Sequence, residues 1–219
     1  LVELAPALGM NIKGMTFSLI GYGNVGSWTG RILAKMGAKL VAVMDHTGSI
    51  RSDRGLDAEA LAAHVAKNGG VAHFGGSEKI TTEDFYKTKV DAFIPAALEQ
   101  MVKEQEAKWI NARVLVEGAN APTTPAGDRV LNERGIEVIP AILANSGGVT
   151  VSYFEWVQNK SCVTWDAEQV DQALNRHMVM AARRTALMRQ KYNCDMRTAA
   201  YIAALENIGK VYQVRGIFP

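Results

Sequence analysis

Thr16-Phe17-Ser18-Leu19-Ile20-Gly21-Tyr22-Gly23-Asn24-Val25-Gly26 is the stretch that decides the fold. Its first five residues are an apolar run of strand length, and the last six form a G-x-G-x-x-G turn. Val25, Trp28, Ile32, Leu33 and Met36 then recur at steps of three and four, the period of a helix. Gly37 is placed to end that helix as a left-handed C′ residue. Lys39 to Met44 reads as a second strand, which Asp45 closes. The whole is a βαβ unit of about thirty residues, with its acid about twenty past the glycines.

Each position has a physical purpose in binding a dinucleotide. Gly21 permits the tight turn, Gly23 lets the backbone approach a pyrophosphate, and Gly26 lets helix and strand pack closely. The helix start offers N–H groups and the positive end of its dipole to the phosphates. Asp45 is placed to accept hydrogen bonds from the adenosine ribose. A carboxylate there repels a 2′-phosphate, so NAD is expected over NADP, with NADP still possible. Arg51 and Arg54, a few residues on, and His46 if protonated, are the groups able to reverse that preference. The bland alternative is a glycine-rich turn in another α/β protein, with Asp45 as an ordinary strand-closing aspartate.

Working outward, the 219 residues are enough for one large domain, or one domain with helical additions. The chain is 48% hydrophobic and 21% charged, with a net charge of +2, so nothing suggests nucleic acid or an anionic membrane as partner. Cys162 and Cys194 lack metal-ligand spacing and read as free thiols, which points to the cytoplasm. His64 and His73, nine apart without a cysteine or acid in register, read as surface residues, and no metal site is expected. The chain begins Leu1-Val2-Glu3, with neither an initiator Met nor a targeting segment.

Beyond Asp45, His46 to Ile50 is turn-rich, and Asp57 caps a helix carrying Leu61 and Val65 that ends near Gly69. Val90 to Ile94, Arg113 to Glu117 and Ile136 to Ile139 read as three further strands. Thr124 caps an intervening helix with Pro125 at its first position. Strands alternating with helices predict an α/β, Rossmann-type, doubly wound and mainly parallel sheet, in the order 3-2-1-4-5. Its crevice would gather the Gly21 loop, Asp45, Ala96, Ala97 and Asn120 beyond the carboxyl ends of the strands. From Asn145 the chain turns helical. One helix carries Val149, Tyr153, Trp156 and Val157 on one face. A long helix, capped by Asp166 with Gln169, has the stripe Val170, Leu174, His177, Met178 and Ala181. A last helix starts at Asp195, with Ala199, Ile202 and Ile208 inward. Residues 1–150 are thus expected to form the dinucleotide-binding domain, and 151–219 the helices that complete it. The cluster Arg183, Arg184, Arg189 and Lys191 reads as a solvated face rather than an anion site.

Several stretches resemble the glutamate dehydrogenases of the Glu/Leu/Phe/Val dehydrogenase family. They are Pro95-Ala96-Ala97-Leu98-Glu99; Glu117-Gly118-Ala119-Asn120 with the Pro-Thr-Thr-Pro after it; Asn145 to Asn159, ending in Trp156-Val157-Gln158-Asn159; and Arg215-Gly216-Ile217-Phe218-Pro219. The resemblance covers only that family's cofactor domain. No motif of its lysine- and aspartate-bearing substrate domain is present, so no catalytic residue is expected here and the chain reads as an excised domain. It implies that Gly21, Gly23, Asn24, Val25 and Gly26 hold the pyrophosphate, with Asp45, Ala96 and Ala97 on the adenosine half. It implies that Asn120 and Asn145 face the nicotinamide and its ribose, where an amide can both donate and accept. It implies that Ser152, beside Val149, reaches the substrate carboxylate; as a residue alone, Ser152 reads equally well as a small helix-packing position.

The intact enzyme would interconvert L-glutamate with 2-oxoglutarate and ammonia, by hydride transfer with NAD or NADP, as a homohexamer. Ala121, Ala141 and Ser146 depart from the residues usual there. The alternatives are the cofactor domain of a leucine, valine or phenylalanine dehydrogenase, or a stand-alone dinucleotide-sensing module.

Overall fold

A computed structural model describes residues 1–216, so Ile217, Phe218 and Pro219 of the C-terminal motif lie outside the described residues. The chain divides into two compact units, Leu1–Ala141 and Ile142–Pro219.

The first unit is built on a seven-stranded sheet, with β1 (Thr16–Ile20), β2 (Lys39–Asp45), β3 (Gly48–Arg51), β4 (Glu78–Ile80), β5 (Val90–Pro95), β6 (Ala112–Val116) and β7 (Glu137–Ile139). Their order in space is β4-β3-β2-β1-β5-β6-β7. From β2 to β7 all pairings are parallel, whereas β3 and β4 run antiparallel. The class is the expected α/β, Rossmann-type one, but the strand order is not. The third parallel strand, β5, lies beside β1 and not outside β2. The cause is local. His46 and Thr47 make a two-residue turn between Asp45 and Gly48, which pair with each other. This hairpin folds β3 back onto β2 and fills the edge a crossover strand would need. The segment expected to be merely turn-rich is therefore a hairpin with Ser49 and Ile50 buried.

The helices of this unit are α1 (Asn24–Lys35), α2 (Ala58–Asn68), α3 (Thr82–Lys87), α4 (Glu104–Trp109) and α5 (Pro125–Glu133), and a four-residue turn, α6 (Ala141–Ala144), begins at its end. Sequence-local caps hold several of them. Asp57 accepts from the N–H groups of Glu59 and Ala60, Thr81 from Asp84, and Thr124 from Gly127. Glycines at positive φ close α1, α2 and α5: Gly37, Gly69 and Gly135. One face of the sheet carries a core in which Phe85, Tyr86 and Phe93 pack ring on ring with Leu115, Leu131 and Ile110.

α1 is turned differently from what its apolar stripe predicts. Its buried residues are Gly26, Gly30 and Leu33, while Val25, Trp28, Ile32 and Met36 remain 41–56% exposed. The glycines allow a closer approach than large side chains would. A β-carbon on Gly30 would stand 3.0 Å from the Tyr22 hydroxyl.

The second unit holds α7 (Ser146–Ser161), α8 (Ala167–Tyr192) and α9 (Met196–Arg215). Asp166 with Gln169 caps α8, and Asp195 caps α9. Apart from Phe154 on α7 and Met196 at the start of α9, small residues carry the burial: Ala173, Ala182 and Thr185 on α8, and Ala199, Ala200 and Ala203 on α9. His177 and Ile208, expected to face inward, are exposed. Helices that meet through alanine and threonine approach closely and leave their larger side chains outside. Among the described residues no helix is long and apolar enough to cross a membrane.

Candidate dinucleotide site

The strand order reverses between β1 and β5, because β2 lies on one side of β1 and the next parallel strand on the other. The predicted order 3-2-1-4-5 puts this reversal beside β1 too, but with β6 and not β5 as the neighbour across it. At such a switch point the loops leaving neighbouring strands part and open a crevice. Here the Gly21 turn is held on both sides. Gly21 donates its N–H to the Met44 carbonyl (2.6 Å), and Ala96 donates to the Ile20 carbonyl (2.8 Å). Gly21 has φ +87°, and a β-carbon there would fall 2.8 Å from that of Ala97 and 3.0 Å from the Ala96 oxygen. Only glycine meets both conditions.

Gly26 and Gly23 have opposite surroundings. A β-carbon on Gly26 would stand 2.0 Å from the Gly21 carbonyl oxygen, so the helix start is locked against the turn. Around Gly23 nothing comes within 4 Å of that position. Gly23 is the N-cap of α1 and gives it no side-chain cap, whereas α2, α3, α5, α8 and α9 each have a capping Asp or Thr. The first N–H groups of a helix have no carbonyl within the helix to bond. Asn24 and Val25, the first residues of the helix, are exposed beside the open position at Gly23, and such an end suits an anionic group.

A crevice of about 760 Å³ opens at this end. Gly21, Gly23, Asp45, His46, Ala96 and Ala97 line it, together with apolar groups such as Ile20, Met44 and Met101. Asn24, Val25, Gly26 and Asn120 are not in its lining. Tyr22 and Tyr86 also line it, and burial pushes both phenols well above their ordinary range. Their hydroxyls donate to the carbonyls of Ala58 (2.8 Å) and Met101 (2.7 Å), so both are structural tyrosines. Sequence reasoning passed over Gln100, which lines the crevice with φ +56°; no sequence pattern marks a non-glycine residue in that conformation.

Asp45 is more occupied than expected. Its Oδ1 accepts from the N–H (2.7 Å) and hydroxyl (2.6 Å) of Thr47, and its Oδ2 from the N–H of Val71 (2.9 Å). Two oxygens offer about four acceptor positions, and three are taken. One remains, on a residue that lines the crevice. Arg51 is directed elsewhere, to Asp53 (3.4 Å) and Glu78 (3.5 Å).

Asn120 follows the carboxyl end of β6 and is exposed, in a turn where Gly118 and Ala119 both donate to the Pro95 carbonyl (3.0 and 2.9 Å). Asn145, Val149 and Ser152 belong to the second unit. There Asn145 is the half-buried N-cap of α7, and Val149 and Ser152 are exposed on the helix, beside the stacked rings of Tyr153 and Trp156. The Arg184 and Lys191 side chains meet Glu206 at 4.0 and 3.4 Å. Among the described residues no group of His, Cys, Asp and Glu is gathered to hold a metal ion.

The chain is 44% identical to the glutamate dehydrogenase of Thermotoga maritima, over 97% of its own length and 51% of that protein. Its fold matches a glutamate dehydrogenase from Peptoniphilus asaccharolyticus with a TM-score of 0.83 at 32% identity, covering 99% of this chain and 51% of that one. It matches the hetero-hexameric glutamate dehydrogenase of Thermus thermophilus, in its Leu-bound form, with a TM-score of 0.90. At 24% identity, over 99% of this chain and 51% of that one, the Thermus match speaks to the fold alone. The chain thus spans about half the length of these relatives. The model of the Glutamate/Leucine/Phenylalanine/Valine dehydrogenase family matches residues 2–216, and the chain belongs to that family.

Proposed function

We propose that this chain is the NAD(P)-binding half of a glutamate dehydrogenase. The observation that carries the proposal is the uncapped, glycine-lined start of α1, open beside a crevice that Asp45 borders on the β2 side. That cradle suits a pyrophosphate: the N–H groups of Asn24, Val25 and Gly26 bind it, and the absence of a side chain at Gly23 admits it. Asp45 orients the adenosine ribose with its remaining acceptor position, and Ala96 and Ala97 bound the same half. Asn120 and Asn145 orient the nicotinamide side. Val149 and Ser152 contact the amino-acid substrate.

The dinucleotide supplies the hydride chemistry when bound. The proton transfers belong to the half of the enzyme that the relatives have and this chain does not span. That half, L-glutamate or 2-oxoglutarate with ammonia, and further subunits of a homohexamer are the partners. Residues 1–150 act as the binding domain, and 151–219 complete it and face the substrate domain. NAD is the preferred cofactor, because the Asp45 carboxylate borders the crevice while Arg51 is engaged by two acids. The unbonded Cys162 and Cys194 fit a cytoplasmic protein.

Titration calorimetry of the chain with NADH and NADPH, beside a steady-state assay with glutamate, tests this. The expected result is dinucleotide binding, tighter for NADH, with no turnover in the usual enzyme range of about 1–10³ per second. Absence of dinucleotide binding overturns the proposal, and tighter NADPH binding overturns the cofactor preference. A dinucleotide sensor or a leucine, valine or phenylalanine dehydrogenase half would bind too; restoring the substrate half and comparing amino acids separates them.

A further inference from the structure

We propose that Glu117 is a positioning residue for the nicotinamide side of the proposed dinucleotide site, fixing the Gly118–Asn120 turn to the first residue after Pro140. The proposal rests on the dinucleotide reading above and assigns Glu117 a role which that reading does not use.

The Glu117 side chain is fully buried at the carboxyl end of β6. Its Oε2 accepts the N–H of Ala141 at 2.7 Å, and its own N–H donates to the Ile139 carbonyl at 3.0 Å. The next two N–H groups, of Gly118 and Ala119, both donate to the Pro95 carbonyl. Three consecutive residues thus tie together the ends of β5, β6 and β7. The tie is close as well as bonded. A β-carbon on Gly118 would stand 3.2 Å from that of Ala96 and 3.3 Å from the Pro95 oxygen.

A buried carboxylate is an expensive way to join two strand ends, because it must be desolvated and held by donors. An apolar residue would fill the same volume without that cost. What the carboxylate adds is direction: it fixes where the chain lies just after β7 relative to the turn that carries Asn120. A dinucleotide seated on the α1 start straddles β1. Asp45 holds the adenosine half on the β2 side, so the other nucleotide lies over β5, β6 and β7. Glu117 touches no part of the ligand and acts through the turn.

Calorimetric affinities for NADH and for ADP, which lacks the nicotinamide riboside, test the assignment in Glu117→Ala, Glu117→Gln and Ala141→Pro, each beside a thermal melt. Ala141 is the first residue of α6, where proline is tolerated, so Ala141→Pro removes the donor from the other side. Losing this buried bond is expected to weaken NADH about tenfold in Glu117→Ala and Ala141→Pro, with ADP affinity changed less than about twofold. Glu117→Gln keeps one acceptor oxygen and should fall between. Should Glu117→Ala fail to fold, the other two variants carry the comparison. Parallel loss of NADH and ADP binding, or unchanged NADH binding, overturns the assignment. If the unmodified chain binds ADP and NADH equally, the nicotinamide side is not engaged and the assignment falls; if it binds neither, the dinucleotide reading itself has failed.

Discussion

The Asp45 carboxylate accepts the backbone N–H of Val71 at 2.9 Å, across 26 residues of sequence. The same carboxylate takes both donors of Thr47, so it fastens the end of β2 to its own hairpin and to the chain leaving α2. A residue expected only to select a cofactor is also a structural clasp. Val71 is fully buried, and removing the acceptor would leave its N–H unpaired. Asp45→Ala is therefore expected to lower stability by about 2 kcal/mol, and Asp45→Asn, which keeps an acceptor oxygen, by less. Urea unfolding of the three proteins checks this. Equal stabilities would mean that the clasp contributes nothing. The result also bears on the cofactor test: a specificity change in an Asp45 variant is interpretable only where the fold is intact.

The glycines of the turn should separate into two classes. Gly23→Val adds a side chain into open space at an extended backbone, so the melting temperature should hold while dinucleotide affinity falls by about tenfold or more. Gly26→Ala puts its methyl group 2.0 Å from the Gly21 oxygen, and the helix must move. That change should cost at least about 3 kcal/mol, the upper end for overpacking. A thermal melt beside calorimetry distinguishes them. The opposite assignment, with Gly26→Ala stable and Gly23→Val unfolded, would mean that the turn is seated differently.

The features that local chemistry determines were the legible ones. The caps at Asp57, Thr124, Asp166 and Asp195, the stops at Gly37, Gly69 and Gly135, and the apolar runs of β1, β2 and β5 each follow from a few neighbouring residues. The strand order was not legible, because it depends on a four-residue strand, β3, that begins with glycine and pairs only because β2 is beside it. Hydrophobic periodicity also misplaced the inner face of α1. Gly26 and Gly30 carry no apolar side chain to count, yet they form the face that packs. In the candidate site the glycines and Asp45 could be read from spacing. The burial of Glu117 and the left-handed Gln100 could not, since both follow from the meeting of β5, β6 and β7 ends far apart in sequence.

Stability of the second unit should carry an acid-sensitive component at Asp195. Burial pushes this carboxyl up, but the N–H (2.9 Å) and hydroxyl (2.7 Å) of Thr198, with the backbone N–H groups of Asp195 and Arg197, together outweigh it, and the pKa lies below the ordinary 3.8. A lowered folded pKa means stabilisation that is present above the unfolded value and lost as pH falls through the folded one. Asp195→Ala is expected to cost about 1 kcal/mol at neutral pH, as for an N-cap. The difference from the unmodified chain should shrink as the pH falls below about 4. Denaturant melts at neutral and acid pH check it, and a pH-independent difference would show that the charge is irrelevant to the cap.

The strain next to Asn120 should be removable. Ala121 adopts φ +41°, and its carbonyl accepts from the N–H of Gln100, itself at φ +56°. A left-handed conformation costs an alanine about 1–2 kcal/mol, whereas glycine adopts it without steric penalty. Glycine gives back about 0.5–1 kcal/mol in chain entropy. Ala121→Gly is therefore expected to stabilise the chain by about 0.5–1 kcal/mol. Ala121→Val, with a branched β-carbon in the same conformation, should destabilise it by more than that. Urea melts of both variants decide the matter. If Ala121→Gly lowers stability, the turn does not hold the left-handed conformation in solution, and the geometry assigned to Asn120 must be redrawn.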